Sequence, residues 1–90
     1  MNALVVAQLR SALEQAFAPS TLEIIDDSAA HAGHEGSRSG AHFRVKLVSA
    51  AFRGHSSLER HRMVYAAVAP LMSGSVHALN ITARAPDEPL

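Results

Sequence analysis

The chain has 90 residues and contains no cysteine and no tryptophan. Without cysteine it forms no disulfide and offers no thiolate to zinc or to an iron–sulfur cluster. A soft ligand at any metal site would have to come from a partner or a small molecule. Neither sign of charge is in excess, since eight basic side chains balance eight acidic ones. That balance argues against a general nucleic-acid binder, which carries a strongly basic face, but allows a local basic patch. No apolar run approaches the roughly 20 residues needed to span a bilayer. The first segment, MNALVVAQLRSALEQAF, has Arg10 and Glu14 inside it and no cleavage-site pattern, so it reads as a helix rather than a signal peptide. The expected compartment is the cytoplasm, with no membrane partner. The length is that of one domain. The hydrophobic fraction of 48% is ordinary, but much of it is alanine, which predicts a thin core of two layers.

What the chain does have is histidine, six in all. The stretch HAGHEGSRSGAHF, residues 31–43, places His31, His34 and His42 in and beside a glycine-rich loop. The charge state and the metal affinity of imidazole both respond to small changes near neutral pH. The loop is therefore a candidate site.

Apolar spacing predicts a helix over 3–17, with Val5, Leu9, Ala12, Leu13, Ala16 and Phe17 on one side and Pro19 ending it. TLEIIDD, 21–27, reads as a strand, and the glycines at 33, 36 and 40 make 28–41 a loop. HFRVKLVS, 42–49, alternates Phe43, Val45 and Leu47 against His42, Arg44 and Lys46, as a half-buried strand does. Ser56 or Ser57 offers an N-cap. A second helix follows over 58–72, its stripe made of Leu58, Val64, Val68, Leu71 and Met72 with Tyr65 at the margin. Pro70 should kink its last turn, and Gly74 should end it. VHALNITAR, 76–84, alternates again, with His77, Leu79, Ile81 and Ala83 on one face. The order α-β-β-α-β predicts an α+β two-layer sandwich with a three-stranded mixed sheet. Residues 1–86 form its single domain, and 87–90 are expected to be a disordered tail.

This order carries a consequence for the histidines. The second and third strands are joined through a helix, so they should run parallel by a right-handed crossover. The first two strands are joined by the loop and should be antiparallel. The end of the first strand and the starts of the other two then lie at one end of the sheet. His31, His34, His42 and His77 should gather there. A lone histidine at the start of a core-facing row, as His77 is, more often bonds a backbone carbonyl than a metal. The neighbouring histidine loop shifts that balance toward a ligand. Two or three imidazoles are too few for a closed structural zinc site, but suit a borderline divalent metal or part of a shared cluster.

The segments LEIIDDSAAHAGH, GAHFRVKLVSAAFRGHSSLERHRMVYAAVAPLM and VHALNITARAP identify the chain as similar to the BolA family over about residues 4–86. The combination of RHRMVY and VHAL after the HF strand is specific. The resemblance implies a fold similar to the class II KH domain. It also implies a monothiol glutaredoxin partner and a [2Fe–2S] cluster shared in the heterodimer. On that pattern the glutaredoxin supplies a cysteine and bound glutathione. The BolA side supplies the histidine of the VHAL strand, here His77, and one loop histidine. Motif position points to His31 ahead of His34, and His42 is expected to pack or hydrogen-bond. No cofactor is expected in the isolated chain, which relatives suggest could form a homodimer. Imidazole ligation would raise the reduction potential, as in Rieske-type centres.

The same resemblance implies a second role, since some BolA proteins are described as transcriptional regulators that bind DNA. A nucleic-acid-binding KH domain clamps the backbone with a GXXG loop. Here FRGHSS has Gly54 and no second glycine at that spacing, which departs from the pattern. Arg53, Arg60 and Arg62 around the start of the second helix could hold phosphates or meet the partner protein. Read plainly, they are a solvated face with ion pairs to Glu59 or Asp26. An enzyme is not expected: there is no cysteine nucleophile, and a local Ser28–His31–Asp27 set lacks an oxyanion site.

Overall fold

The computed structural model describes residues 3–27, 41–72 and 76–89, with Ala41 and His77 described by backbone alone. Helix α1 spans Ala3–Phe17. It buries Leu9 and Leu13 fully, while Ala16 stays exposed. The helix stops where Ala18 takes a left-handed φ of 44°. Its N–H donates to the Glu14 carbonyl at 3.0 Å, a C-terminal cap made without the usual glycine. Pro19 then prevents continuation.

Strand β1 is Thr21–Asp26, β2 is Ala41–Val48 and β3 is Val76–Arg84. The sheet order is β1-β2-β3, with β1 antiparallel and β3 parallel to the central β2. Phe43, Val45 and Leu47 of β2 and Leu79, Ile81 and Ala83 of β3 are buried on one face. Alternation puts Arg44, Lys46, Asn80 and Thr82 on the other. The expected two-layer α+β sandwich is therefore the observed fold.

A short 3-10 turn, Ala50–Phe52, leads from β2 to helix α2, Ser57–Ala67. Phe52 is fully buried, its ring 4.9 Å from that of Phe17. Ser56 caps α2 in a reciprocal box with Glu59, each side chain bonding the other's backbone N–H. The single kinked helix expected over 58–72 is instead two. Pro70 has no N–H for the Ala66 carbonyl, so α2 ends at Ala67 and a separate turn, α3, spans Ala69–Met72. The N–H groups of both Leu71 and Met72 donate to the Val68 carbonyl. Leu58, expected in the buried stripe, is 60% exposed. The inward row of α2 is Arg60 and Val64, continued by Val68 just past its end, and a residue two places before Arg60 lies on the opposite side.

Leu9, Leu13, Phe43, Leu47, Phe52, Val64 and Val68 form the centre of one continuous core. Burying an aliphatic or aromatic side chain of this kind stabilises by about 1.5–3 kcal/mol. Among the described residues no helix is long and apolar enough to cross a membrane.

Candidate functional site

The strand directions bring the end of β1 and the starts of β2 and β3 to one end of the sheet, as the order of elements requires. There the Asp27 N–H donates to the His42 carbonyl at 2.8 Å, one step beyond the last β1 residue. That bond pins both ends of the segment that carries His31 and His34. The Asp27 carboxylate accepts a bond from Arg44 Nε at 2.9 Å. Beside it an open cleft of about 420 Å³ is lined by Asp27, His42, Phe43, Arg44, Leu79 and Asn80. His42 is half-buried with its Nε2 enclosed, in keeping with a packing role.

The β2–β3 ladder changes register here. Ala41 pairs with Val76, but His42 pairs with Ala78, so His77 falls at a bulge. The buried Val76 is accordingly out of phase with buried Leu79 and Ile81. The alternation expected from His77 onward holds only from Leu79. Bulges cluster next to functional sites, where they re-aim the chain. His31 and His34 lie outside the described residues, and so does Gly74, expected to end the second helix. Among the described residues no group of three or more His, Asp or Glu side chains could hold a metal.

The opposite end of the sheet corrects the expectation for the arginines. Arg60 is buried, with its residue only 8% exposed. Its Nε donates to the His55 carbonyl at 2.9 Å, and one terminal nitrogen reaches the Ala83 carbonyl at 3.2 Å. Both terminal nitrogens bind the Glu88 carboxylate, at 2.6 and 2.9 Å. Arg60 therefore faces inward and is not part of an open phosphate-binding surface. Of the three arginines named from sequence, Arg62 is exposed and Arg53 is a solvated cation 3.7 Å from Asp87. At the α2 N-terminus Ser56 accepts the Glu59 N–H at 3.1 Å, which satisfies one of the donors exposed there.

The tail expected to be disordered from residue 87 is instead held. Glu88 accepts the Ala85 N–H at 3.0 Å as well as the Arg60 pair, and its own N–H donates to the Ala85 carbonyl at 3.1 Å. The Arg60 hydrogen bonds, then the Ala85 N–H, hold the Glu88 carboxyl at about 2, well below the ordinary range. The same bonds raise Arg60. Glu59 is lowered chiefly by the Ser56 backbone N–H. Nothing near Arg60 in sequence announces Glu88, which lies 28 residues away. The Ser56-x-x-Glu59 box was the one local signal that Glu59 is engaged with backbone rather than with an arginine.

A model of the BolA-like protein family matches residues 13–88. The chain belongs to the BolA-like family. The human BolA-like protein 1 is 49% identical over 82 residues, covering 91% of this chain and 58% of that protein. This BolA-like chain thus spans little more than half the length of such relatives. The DNA-binding transcriptional regulator BolA of Escherichia coli (strain K12) is 44% identical over 72 residues, covering 80% of this chain and 67% of its own. The solved structure of BolA1 from Arabidopsis thaliana superposes with a TM-score of 0.80 at 34% identity, covering 93% of this chain and 94% of that one. The BolA domain of SufE1 from the same plant gives 0.78 at 39% identity, with 89% and 90% covered.

Proposed function

We propose that this BolA-like protein is an iron–sulfur adaptor that docks on a monothiol glutaredoxin and shares a [2Fe–2S] cluster with it. His77 and one of His31 and His34 would be its ligands. The observation that carries this reading is the bulge at His77 on the sheet end to which the His31–His34 segment is pinned. The donor set fits a shared site. The chain has imidazoles and no thiolate, so a cluster held by it would take its thiolates from a partner. When bound, the cluster would supply the electron-transfer and iron-sensing chemistry.

This chain's own residues do the positioning. The Asp27–His42 backbone bond anchors the loop, and the Arg44–Asp27 pair fixes the carboxylate at its exit. The ladder on either side of His77 sets where β3 begins. The role is one of binding, not of bond making in a substrate.

Visible circular dichroism of the protein mixed with a monothiol glutaredoxin, iron, sulfide and glutathione tests the reading. A spectrum distinct from that of the glutaredoxin homodimer, lost in His77→Ala, supports it, and His31→Ala against His34→Ala names the loop ligand. A spectrum that never departs from the homodimer's overturns it. The second reading, DNA binding, draws on the printed name of the Escherichia coli relative. For this chain its arginine surface reduces to Arg53 and Arg62, since Arg60 is engaged internally.

A further inference from the structure

The far end of the sheet shows a cationic cradle filled by the chain's own acid. The Arg60 guanidinium offers a two-pronged edge, and that edge holds both oxygens of Glu88. Such a fork fits a phosphate as well as it fits a carboxylate. The Ala85 N–H aims at the same Glu88 oxygen at 3.0 Å, adding a third donor. Arg53 lies 3.7 Å from Asp87, the residue before Glu88, so a second arginine is met by a second acid of the same turn.

Two features separate this from an ordinary structural ion pair. First, the cradle does not depend on its occupant for its shape. Arg60 is held from behind by the carbonyls of His55 and Ala83. Removing Glu88 would leave the guanidinium in place, preorganised for another anion. Second, the turn that carries the occupant is held by polar contacts and places no side chain among the buried core residues. Pro86, Asp87 and Pro89 are exposed, and Ala85 is the last residue of the chain buried in the core. None of residues 86–89 belongs to the hydrophobic cluster.

We infer that Arg60 and Arg53 form an oxyanion site for phosphate groups, and that the acidic turn Asp87–Glu88 closes it until a competing anion displaces the turn. The turn is tethered, so it competes at high effective concentration and suppresses weak anion binding without any change in the cradle. The Glu88 carboxylate stays ionised across the physiological range, so the closure is present at neutral pH.

The test uses the full chain, nitrogen-15 labelled and titrated with inorganic phosphate or with a short DNA duplex. The Arg60 Nε–H and Ala85 N–H resonances report binding. Glu88→Gln keeps the shape and removes the charge, and it should bind phosphate roughly tenfold more tightly than the wild type. Arg60→Lys in that background should abolish the gain, because lysine cannot present the fork. A gain with inorganic phosphate alone assigns a small anion. A gain that extends to the duplex, with a steeper salt dependence, assigns a nucleic-acid backbone. Both results support the inference. Equal binding by wild type and Glu88→Gln, or no binding by either, overturns it. If Glu88→Gln does not fold, the wild type alone decides. Saturating phosphate should release the Ala85 N–H to solvent exchange, whereas unchanged protection overturns the inference.

Discussion

The two ends of the parallel β2–β3 pair use their polar groups in opposite ways. At the finishing end the buried polar side chains, Ser49 and Arg60, are spent on the protein itself. Ser49 donates to the Phe17 carbonyl at 2.6 Å, its N–H reaches the Arg84 carbonyl at 2.9 Å, and Arg60 serves two carbonyls and a carboxylate. At the starting end the ladder slips at His77, and an open cleft carries His42, Arg44 and Asn80. The difference teaches where stability and binding reside. A closed hydrogen-bond network rigidifies, whereas an open cleft beside a slipped ladder leaves a surface that a partner can reach.

The sharpest way to break the comparison is to remove one residue from the open end. His77→Ala should eliminate the heterodimer cluster spectrum while moving the thermal midpoint little. A large fall in the midpoint would mean that His77 is structural and that the two ends do not differ in kind. The core they share should respond next. Phe43→Ala, truncating a side chain only 1% exposed, should cost about 3–5 kcal/mol in urea unfolding.

The closed end has its own signature in acid. Glu88 titrates at about 2 in the folded protein against an ordinary 4.5. A lowered carboxylate stabilises fully above its unfolded value and loses that contribution as pH falls through the folded value. The wild-type advantage over Glu88→Gln in urea midpoint should therefore be constant above about 4.5 and vanish on approach to about 2. An advantage that does not change with pH would show that the Arg60–Glu88 charge pair is not what holds the turn. Ala18→Gly should stabilise by up to about 1 kcal/mol, because glycine tolerates the left-handed cap without a Cβ penalty. The smallest effect belongs to Arg53→Ala. Its ion pair at 3.7 Å is solvated on both sides, so the unfolding free energy should move by no more than about 0.5 kcal/mol.

Much of this was legible in the residues. Helical spacing located α1 and period-two alternation located β2, because both patterns report which side of an element meets the core. The element order then dictated that the histidine-bearing ends converge. Other features escaped, the split of the second helix at Pro70 among them. The bulge at His77 comes from how β3 pairs with β2, and nothing in VHAL marks it. Leu58 was assigned inward because a leucine fits an apolar stripe, whereas the inward position belongs to Arg60. The tail was expected to be disordered because two prolines and two acids carry no periodicity, yet Glu88 is held by a partner 28 residues away.

The sequence by itself determined the elements, their order and the absence of thiolate, and with the order of elements the gathering of the strand ends. These follow from local periodicity and from the short menu of connections that a chain can make. Only the tertiary structure decided which charges face solvent. An arginine is chemically as suited to a phosphate surface as to a buried pair with a glutamate. The choice between the two rests on which residues meet across the fold, and that information lies in pairings of distant residues rather than in any one stretch of the chain.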